Sequence, residues 1–379
     1  MNILIIGNPN SIWIKNYIKY VLLNHKYNIS VLYYDKLEPE FLQFYNSNNI
    51  RILGLPHNDK LSRFHMKIMP FIRKVLLLDA RIRGTYDYIH VHYVTYNSLK
   101  FAFAAKSSKS KIIATPWGSD LIRADDTELE KRLPLLQKTD AITIQSQKLF
   151  DKMQMAYGNK LDEKYRYNLK MGLDIFEDID AVRKKYSISD CKSHFGFYKD
   201  KIIIAVGYNG SAGQQHFEVL KVINALTQNI SEKIEVVMHI SYALPSNEYK
   251  ERLHEEASHL RCKVHILEKF MYNEEIAMLR YATDVFVHAQ ITDEYSASVQ
   301  EYIYAGSVLI NPTWIDYQEF IDNGIHYVSY KDFDNLQKKL YELLSSGVSR
   351  NYFYSEKLKR LSSWDNYLQA WNTIYKDKD

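Results

Sequence analysis

The chain has 379 residues, of which 46% are hydrophobic and 25% are charged. This composition is typical of a soluble globular protein and excludes a disordered, collagen-like or coiled-coil chain. The formal net charge of +4, from 49 basic and 45 acidic residues, is too small to indicate a nucleic-acid-binding protein. Cys191 and Cys262 lack the spacing of a disulfide framework or a metal site, so we expect both to be unbridged in a reducing compartment.

No run of 18 uncharged apolar residues occurs in the chain, so we predict no transmembrane helix and only peripheral membrane contact. The first apolar run, at residues 2–7, follows no basic segment and precedes no cleavage site of small residues. It therefore predicts a buried strand rather than a signal peptide.

Short β-branched runs alternate along the chain with longer segments of helical periodicity. This alternation is typical of βαβ units around a parallel sheet, and it starts afresh after a charged passage near residues 176–200. The predicted strands are Asn2–Gly7, Ile29–Tyr34, Ile50–Leu53, Tyr88–His92, Lys111–Thr115 and Ala141–Gln145, then Lys201–Gly207, Ile234–Ile240, Cys262–Leu267, Asp284–His288 and Val308–Asn311. We predict an α/β protein with two doubly wound domains, residues 1–185 and 186–350. A helical segment, residues 351–379, follows and is expected to pack back toward the first domain.

Seven basic residues and one acidic residue lie between Lys60 and Arg83. Five of the basic residues share one helical face, which Pro70 interrupts. Two interpretations are open: a solvated helix face, or a surface for anionic lipid or a lipid phosphate.

Open α/β sheets bind ligands beyond the carboxyl ends of their strands, so the residues after each strand are the candidates for a site. After the first strand, Asn10 or Ser11 is expected to cap a helix that begins near Ile12. His90 and His92 share one face of a strand, and a buried histidine pair is the favoured interpretation over a metal site. Asp120 is either a helix cap or a carboxylate that serves the chemistry at the sheet edge.

In the second half, a glycine-rich turn follows the strand Lys201–Gly207 and leads into a helix. Backbone N–H groups and the helix dipole there predict an anion site, although the turn is not a Walker loop. The candidate ligand-binding residues in this turn are Gly207, Asn209, Gly210, Ser211 and His216.

A second candidate site spans residues 293–310. Asp293 and Glu294 precede a turn in which Ser296 or Ser298 can cap a helix, and Glu301 lies about one turn into that helix. Carboxylates accept paired hydrogen bonds from a vicinal diol, and a helix start receives a diphosphate. No Asp-x-Asp motif follows a predicted strand.

At this segment the chain resembles GT-B glycosyltransferases of the family 4 type, whose motif Glu-Ala-Met-Ala-x-Gly corresponds to residues 301–306. The segments HVHYV, TPWGSDL, DAITIQSQKLFDKM and MGLDIFE are similar to other elements of that family. GYNGSAGQQHFEVL and HISYALPSNEYKERL resemble bacterial polysaccharide glycosyltransferases, including the TDP-N-acetylfucosamine:lipid II transferase group. The resemblance spans nearly the whole chain.

The resemblance implies a GT-B fold, with two Rossmann-like domains facing each other across a cleft. It implies transfer of a sugar from a nucleotide-diphosphate sugar to a saccharide or a polyprenyl-diphosphate-linked acceptor. The setting would be synthesis of a bacterial capsule, O-antigen or exopolysaccharide, in the cytoplasm or at the inner face of the plasma membrane. No metal or other cofactor is expected, and the anomeric configuration is expected to be retained.

The resemblance also assigns roles to residues. Glu301 would bind the ribose hydroxyls, and Ser296, Ala297 and Ser298 would bind the diphosphate. Asp293, with Glu294 as the alternative, would bind hydroxyls of the donor sugar. Asp120 and Trp117 would lie across the cleft near the sugar or the acceptor. For an inverting reaction, Asp120 or His92 is the candidate general base.

The chain departs from the family at its cationic clamp, an Arg and a Lys-Gly near the diphosphate. Tyr208-Asn209 and Gln214-Gln215-His216 stand there instead, and among these residues only His216 can carry a positive charge. Trp117 stands where many members have His. Two alternative functions remain: a non-catalytic nucleotide-sugar-binding protein of a polysaccharide assembly complex, and an epimerase of the GT-B shape.

Overall fold

The computed structural model describes residues 1–32, 37–53 and 85–375, which form two compact units. The first unit comprises Met1–Gly172 and Trp364–Asp379, and the second comprises Leu173–Ser363. The division therefore lies after Gly172 rather than near residue 185, because helix α7 (Ile175–Lys185) packs on helix α12 (Asn273–Ala282) of the second unit.

The first unit is built on a seven-stranded parallel sheet with the strand order β3-β2-β1-β4-β5-β6-β7. Its strands alternate with helices in the doubly wound manner, which places buried aliphatic side chains on both faces. The strands are β1 (Asn2–Ile6), β2 (Asn28–Leu32), β3 (Arg51–Leu53), β4 (Tyr88–His92), β5 (Lys111–Thr115), β6 (Ala141–Ile144) and β7 (Tyr165–Tyr167).

Four of the α-helices described in the first unit begin at a Ser, Thr or Asp whose side chain accepts from a backbone N–H group. Ser11 caps α1 at Trp13 N, as predicted, and Thr95 forms a capping box with Ser98. The helices are α1 (Ile12–Tyr17) with a π-helical turn (Ile18–Leu22), α2 (Pro39–Ser47), α3 (Tyr96–Ala105), α4 (Ser119–Ile122), α5 (Asp126–Leu136) and α6 (Gln147–Tyr157), followed by a 3₁₀ segment (Gly158–Lys164).

The second unit is built on a six-stranded parallel sheet with the strand order β10-β9-β8-β11-β12-β13. Its strands are β8 (Ile202–Val206), β9 (Ile234–His239), β10 (Lys263–Leu267), β11 (Val285–Val287), β12 (Val308–Pro312) and β13 (Val328–Tyr330). Its helices are α7, α8 (Ile188–His194), α9 (His216–Asn224), α10 (Gln228–Ser231), α11 (Asn247–Ser258), α12, α13 (Ala297–Tyr304), α14 (Gln318–Asp322), α15 (Phe333–Ser346) and α16 (Ser355–Ser362).

All eleven predicted strands are present, and two strands were missed. Both missed strands, β7 and β13, are three residues long and lie at the edge of a sheet. A short edge strand buries little apolar surface, so its sequence lacks the aliphatic run that marks the central strands.

The chain returns to the first unit at its carboxyl-terminal segment, a 3₁₀ turn (Trp364–Asn366) and helix α17 (Leu368–Ile374). Trp371 is fully buried there and donates from Nε1 to the Lys170 carbonyl at 2.7 Å. This agrees with the expectation that the last helical segment packs back, although only its part from Trp364 onward belongs to the first unit.

Tyr375 connects this segment to the sheet through a buried chain of hydrogen bonds. Its hydroxyl lies 2.7 Å from the Tyr17 hydroxyl and 2.6 Å from His90 Nδ1. His90 Nε2 lies 2.6 Å from the Thr115 hydroxyl, which accepts from Thr143. Each polar atom of His90 thus has a partner inside the core, and burial holds the pKa of His90 well below its usual value.

Several predictions concern other parts of the chain. The basic segment Lys60–Arg83 lies outside the described residues, so its two interpretations stay open. Both cysteines are buried and unbridged. Across residues 1–32, 37–53 and 85–375, no helix combines the length and the apolar character needed to cross a bilayer.

Replacing Tyr375 by Phe is expected to lower the free energy of unfolding of the first unit by about 1–3 kcal/mol, because a buried hydrogen-bond partner of His90 and Tyr17 is lost. Urea unfolding followed by tryptophan fluorescence measures this, since four of the five tryptophans lie in this unit. The matched control is Tyr167→Phe on exposed β7, with a change within about 0.5 kcal/mol. Equal effects of the two substitutions would contradict the buried network.

Candidate functional site

Two loops of the second unit meet at the carboxyl end of its sheet, after β8 and after β11. Gly207 follows β8 with φ +65°, and its N–H donates to Val287 at the end of β11. Farther along the loops, Ile291 N donates to Gly213 and the Gln215 side chain donates to Ala289. The predicted glycine-rich turn and the predicted acidic segment are therefore neighbours.

The amides of the β8 loop are used within the protein. Gly210 N donates to the Tyr242 carbonyl, Ser211 N donates to Asn209 Oδ1, and Gly213 N lies 3.3 Å from Ser211 Oγ. Asn209 is buried with its oxygen directed at its own loop. The N–H groups of Gly207, Gly210 and Ser211 thus have acceptors within the protein. Anion binding by this loop stays a prediction.

His216, the first residue of α9, does not supply a cation either. The ring is fully buried, and burial lowers its pKa to about 4, so the imidazole is neutral at pH 7. Its Nδ1 pairs with the Tyr249 hydroxyl at 3.1 Å. The expected role of His216 as a positive charge is corrected by this burial.

Helix α13 begins at the second candidate segment. Ser296 is its N-cap and accepts from Val299 N, as predicted, whereas Ser298 lies within the first turn. The amides of Ala297 and Ser298 are the first two of the helix, and no carbonyl within the helix can accept from them. This helix start therefore presents N–H groups at the sheet edge, beside the partly buried side chain of Glu301.

Glu301 is held by Arg280, a residue that sequence reasoning missed. Arg280 Nε donates to Glu301 Oε2 at 2.9 Å, while its other nitrogens reach the Tyr302 hydroxyl at 2.8 Å and Ser298 Oγ at 3.5 Å. Only 3% of the Arg280 side chain is exposed, so the guanidinium depends on Glu301 for its counter-charge. The available signal was its position three residues after the buried Ala277, on the buried face of α12.

Asp293 is surrounded by donors. Oδ2 accepts from the hydroxyls of Tyr208 and Tyr317, both at 3.3 Å, and lies 3.2 Å from His288 Nε2. Oδ1 accepts from the backbone N–H of Glu294 at 2.8 Å. Burial alone would raise the pKa of Asp293, but His288 and these hydrogen bonds outweigh it and lower the pKa, so Asp293 is ionised. The partly buried Glu294 lies at the same turn.

In the first unit, Asp120 fastens two loops together. Oδ2 accepts from Val94 N at 2.6 Å after β4, and Oδ1 accepts from Trp117 N at 2.9 Å after β5. Gly118 is the N-cap of α4, so Asp120 is inside the helix rather than its cap. Burial raises the pKa of Asp120 to about 6, although these two hydrogen bonds and Arg132 lower it in part.

His92 is buried at the end of β4, with its ring stacked on that of His90 at 4.1 Å between centroids. Trp117 Nε1 donates to His92 Nδ1 at 3.4 Å, and Nε2 has no hydrogen-bond partner. Burial lowers the pKa of His92 to about 3, which makes this ring a weak base at neutral pH. The pair is a buried histidine pair, as favoured.

No cluster of metal-ligating side chains occurs within the described ranges 1–32, 37–53 and 85–375. One Asp-x-Asp motif nevertheless follows a strand: Asp332 and Asp334 come after β13, with only Lys331 between the strand and the motif. The motif escaped sequence analysis because β13 was not predicted. Asp332 accepts from Asn335 N at 2.8 Å and caps helix α15.

Comparisons with known proteins agree with this architecture. HepE from Anabaena in complex with UDP-glucose is 12% identical over 99% of each chain, with a TM-score of 0.69. A glycosyltransferase from Rickettsia africae is 16% identical over 99% of this chain and 97% of that one, with a TM-score of 0.70. Sucrose-phosphate synthase from Thermosynechococcus elongatus is 12% identical over 99% of this chain and 98% of that one, with a TM-score of 0.71. The chain has the GT-B fold. Residues 2–146 match the family model described as Glycosyl transferase 4-like. No curated protein sequence matches the chain significantly.

These comparisons confirm the predicted GT-B fold and the likeness of the first unit to glycosyltransferases. The narrower resemblance to the fucosaminyltransferase group stays a prediction. The roles assigned to Asp120, His92, Asp293, Glu294 and the residues of α13 also stay predictions at this point.

The raised pKa of Asp120 predicts a pH dependence of stability. The folded unit keeps this proton up to about pH 6, whereas the unfolded chain loses it near pH 4. The free energy of unfolding is therefore expected to fall by up to about 3 kcal/mol as pH rises through this window. Asp120→Asn removes that part of the slope in urea unfolding at pH 4 to 7, whereas Tyr167→Phe, which alters no carboxyl group, retains it. An unchanged slope in Asp120→Asn would refute the assignment.

Proposed function

We propose that this protein is a glycosyltransferase that moves a sugar from a nucleotide-diphosphate sugar to an acceptor hydroxyl. The observation that carries the proposal is Glu301, a carboxylate that a buried Arg280 fixes one turn into a helix whose start lies at the carboxyl end of a parallel sheet. The GT-B fold and the Glycosyl transferase 4-like match over residues 2–146 support it.

Glu301 binds the ribose in this proposal. Arg280 holds Oε2, which fixes the plane of the carboxylate and leaves Oε1 to accept from a ribose hydroxyl. A pre-oriented carboxylate loses little side-chain entropy on binding, so the ion pair contributes to affinity without touching the ligand.

The diphosphate lies at the start of α13. The amides of Ala297 and Ser298 have no acceptor within the helix, and the positive end of the helix dipole favours an anion there. The Ser298 hydroxyl accepts from Arg280 and keeps its own proton to donate. Stabilising the departing nucleoside diphosphate is the main electrostatic task of glycosyl transfer. The β8 loop contributes no cation to this task, because His216 is neutral. We propose that the neutral donors at the start of α13 perform it, without a metal.

Asp293 and Glu294 are proposed to bind hydroxyls of the donor sugar. They lie in the turn that leads from β11 to α13, between the strand end and the diphosphate-binding amides. The ionised Asp293 retains the acceptor character that sugar hydroxyls require.

We propose a retaining reaction. An inverting enzyme needs a general base, and the two candidates are poorly suited: Asp120 accepts from two backbone amides, and the pKa of His92 is about 3. Asp120 is instead proposed to position the loop that carries Trp117, which contacts the sugar or the acceptor.

The acceptor is proposed to be a saccharide or a polyprenyl-diphosphate-linked saccharide, used at the inner face of the plasma membrane in bacterial surface-polysaccharide synthesis. The support is the resemblance of residues 207–220 and 239–253 to polysaccharide glycosyltransferases and the basic segment Lys60–Arg83. UDP-glucose bound to HepE supports a nucleotide sugar as the donor.

One observation favours a second function, that of a non-catalytic nucleotide-sugar-binding protein. The loop where the family has a cationic clamp holds neutral side chains, His216 included. Such a protein binds the nucleotide sugar but releases no nucleoside diphosphate when acceptors are added.

Glu301→Gln is expected to weaken the binding of a nucleoside diphosphate at least 10-fold, because a charged acceptor of ribose hydroxyls is lost. The amide oxygen still accepts from Arg280 but supplies no counter-charge, so the fold of this variant is checked by circular dichroism before binding is measured. Titration calorimetry with UDP and TDP, and the release of each from its sugar conjugate, measure the effect.

The matched control is Glu274→Gln. Glu274 is also a helix residue that pairs with a cation, Lys185 at 2.9 Å, but both side chains are more than half exposed. This variant is expected to bind and react as the parent does. Unchanged nucleotide affinity in Glu301→Gln would overturn the proposed ribose site. If the parent protein binds the nucleotide sugar but releases no nucleoside diphosphate when acceptors are added, the non-catalytic function is favoured.

A further inference from the structure

His288 occupies a closed position at the base of the proposed sugar site. It follows β11, its side chain is fully buried, and the β11–β12 register places it beside Asn311. The rings of Tyr208 and Tyr317 flank the imidazole at 6.0 and 6.1 Å between centroids, with interplanar angles of 26° and 27°.

The contacts of Asn311 fix the proton on one side of the ring. Asn311 Nδ2 donates to the carbonyls of Pro312 at 3.0 Å and Ile315 at 2.8 Å, so the amide oxygen faces His288. That oxygen lies 2.8 Å from His288 Nδ1. Because an amide oxygen only accepts, Nδ1 must carry a proton.

Asp293 determines the other side of the ring. Its Oδ2 lies 3.2 Å from His288 Nε2 and also accepts from two tyrosine hydroxyls, which is the environment of an ionised carboxylate. Nε2 is buried and makes no hydrogen bond, so the nearby Asp293 carboxylate is the charged group that it faces. If Nε2 were unprotonated, its lone pair would face the lone pairs of a carboxylate inside the core, which is repulsive.

We propose that His288 carries both ring protons in the folded protein and acts as a positioning residue that fixes the charge and the orientation of Asp293. Asn311, His288 and Asp293 then form one buried relay from β12 to the proposed sugar site. The relay itself follows from contacts within the second unit, and its effect on the donor sugar rests on the proposed function.

The surroundings of His288 favour a cation despite its burial. Asp293 supplies the counter-charge, and the negative faces of the Tyr208 and Tyr317 rings lie over the imidazole. The other titratable groups around the pair are Glu294 in the same turn and Tyr330 on β13, whose hydroxyl donates to the His288 carbonyl. Phe286 of β11 packs against the ring as well.

The direct test is the protonation of His288 in the full chain labelled with ¹⁵N-histidine. Long-range proton–nitrogen correlation spectra at pH 7.5 are expected to show one of the 13 histidines with both nitrogens in the imidazolium form. This signal disappears in His288→Gln. In Asp293→Asn it changes to the neutral form, which assigns it by a second route if His288→Gln does not fold.

A matched control is His254→Gln, which removes a histidine that pairs with a carboxylate, Glu268 at 2.7 Å, on the exposed surface. The buried imidazolium signal persists in this variant. A neutral spectrum for His288 in the parent protein would overturn the proposal, and so would an imidazolium signal that is unchanged in Asp293→Asn.

Binding measurements separate the relay from a merely structural role. His288→Gln and Asp293→Asn are expected to weaken UDP-glucose or its thymidine counterpart about 10-fold while changing the affinity for free UDP or TDP less than about twofold. Glu301→Gln weakens both kinds of ligand. Equal losses for sugar-bearing and free nucleotides in His288→Gln would contradict the positioning role.

The two proposals fail in different ways. An imidazolium at His288 in a chain that binds no nucleotide sugar refutes the proposed function and retains the relay. Nucleotide-sugar binding with a neutral His288 refutes the relay and retains the proposed function.

Discussion

The second unit depends on a positive charge that has no access to water. The guanidinium of Arg280 is enclosed by α12, α13 and the ring of Tyr302, 4.2 Å from its centre, and such a group is tolerated only with a counter-ion and satisfied donors. Glu301 therefore cannot turn away from this position without leaving a charge unpaired. Ser298 Oγ and the Tyr302 hydroxyl accept from the remaining guanidinium nitrogens, so the buried charge of Arg280 also holds the start of α13 in place. The buried ion pair between Arg280 and Glu301 thus fixes the geometry of the candidate site.

Much of this architecture could be predicted from the chain alone. The central strands are aliphatic runs of five or so residues, and alternation with helical segments leaves a doubly wound sheet as the natural solution. The cap of α13 at Ser296 and the cap of α1 at Ser11 were also predictable, since a short side chain with an oxygen atom precedes each helix. The edge strands β7 and β13 were not, because their sequences, Tyr-Arg-Tyr and Val-Ser-Tyr, contain no aliphatic run. The predicted boundary near residue 185 differs from the observed one after Gly172 because α7 is an amphipathic helix. Its sequence does not show which of the two units it packs against.

The candidate site was predictable in its position but not in its partners. Sequence spacing brought Asp293, Ser296 and Glu301 together because they lie on one turn and one helix. Arg280, His288, Asn311 and Tyr317 come from four other segments, and only the folded sheet makes them neighbours. The loop after β8 shows where a local pattern predicts too much. Its glycines predict N–H groups that are available to a ligand, but Asn209 and Ser211 supply acceptors for those groups within the turn itself. Local pattern gives the residues that can bind, whereas long-range packing decides which atoms are already engaged.

The interrupted first unit has a consequence for synthesis. Its sheet is made early, yet Trp371 and Tyr375, which close over Tyr17 and His90, emerge from the ribosome only after the whole second unit has been translated. The second unit, by contrast, is one continuous segment whose folding needs no later part of the chain. Until the return segment docks, the early half exposes an aromatic-lined face and unpaired polar atoms. A nascent chain that stalls before Trp364 would therefore expose this aromatic face as a binding surface for chaperones.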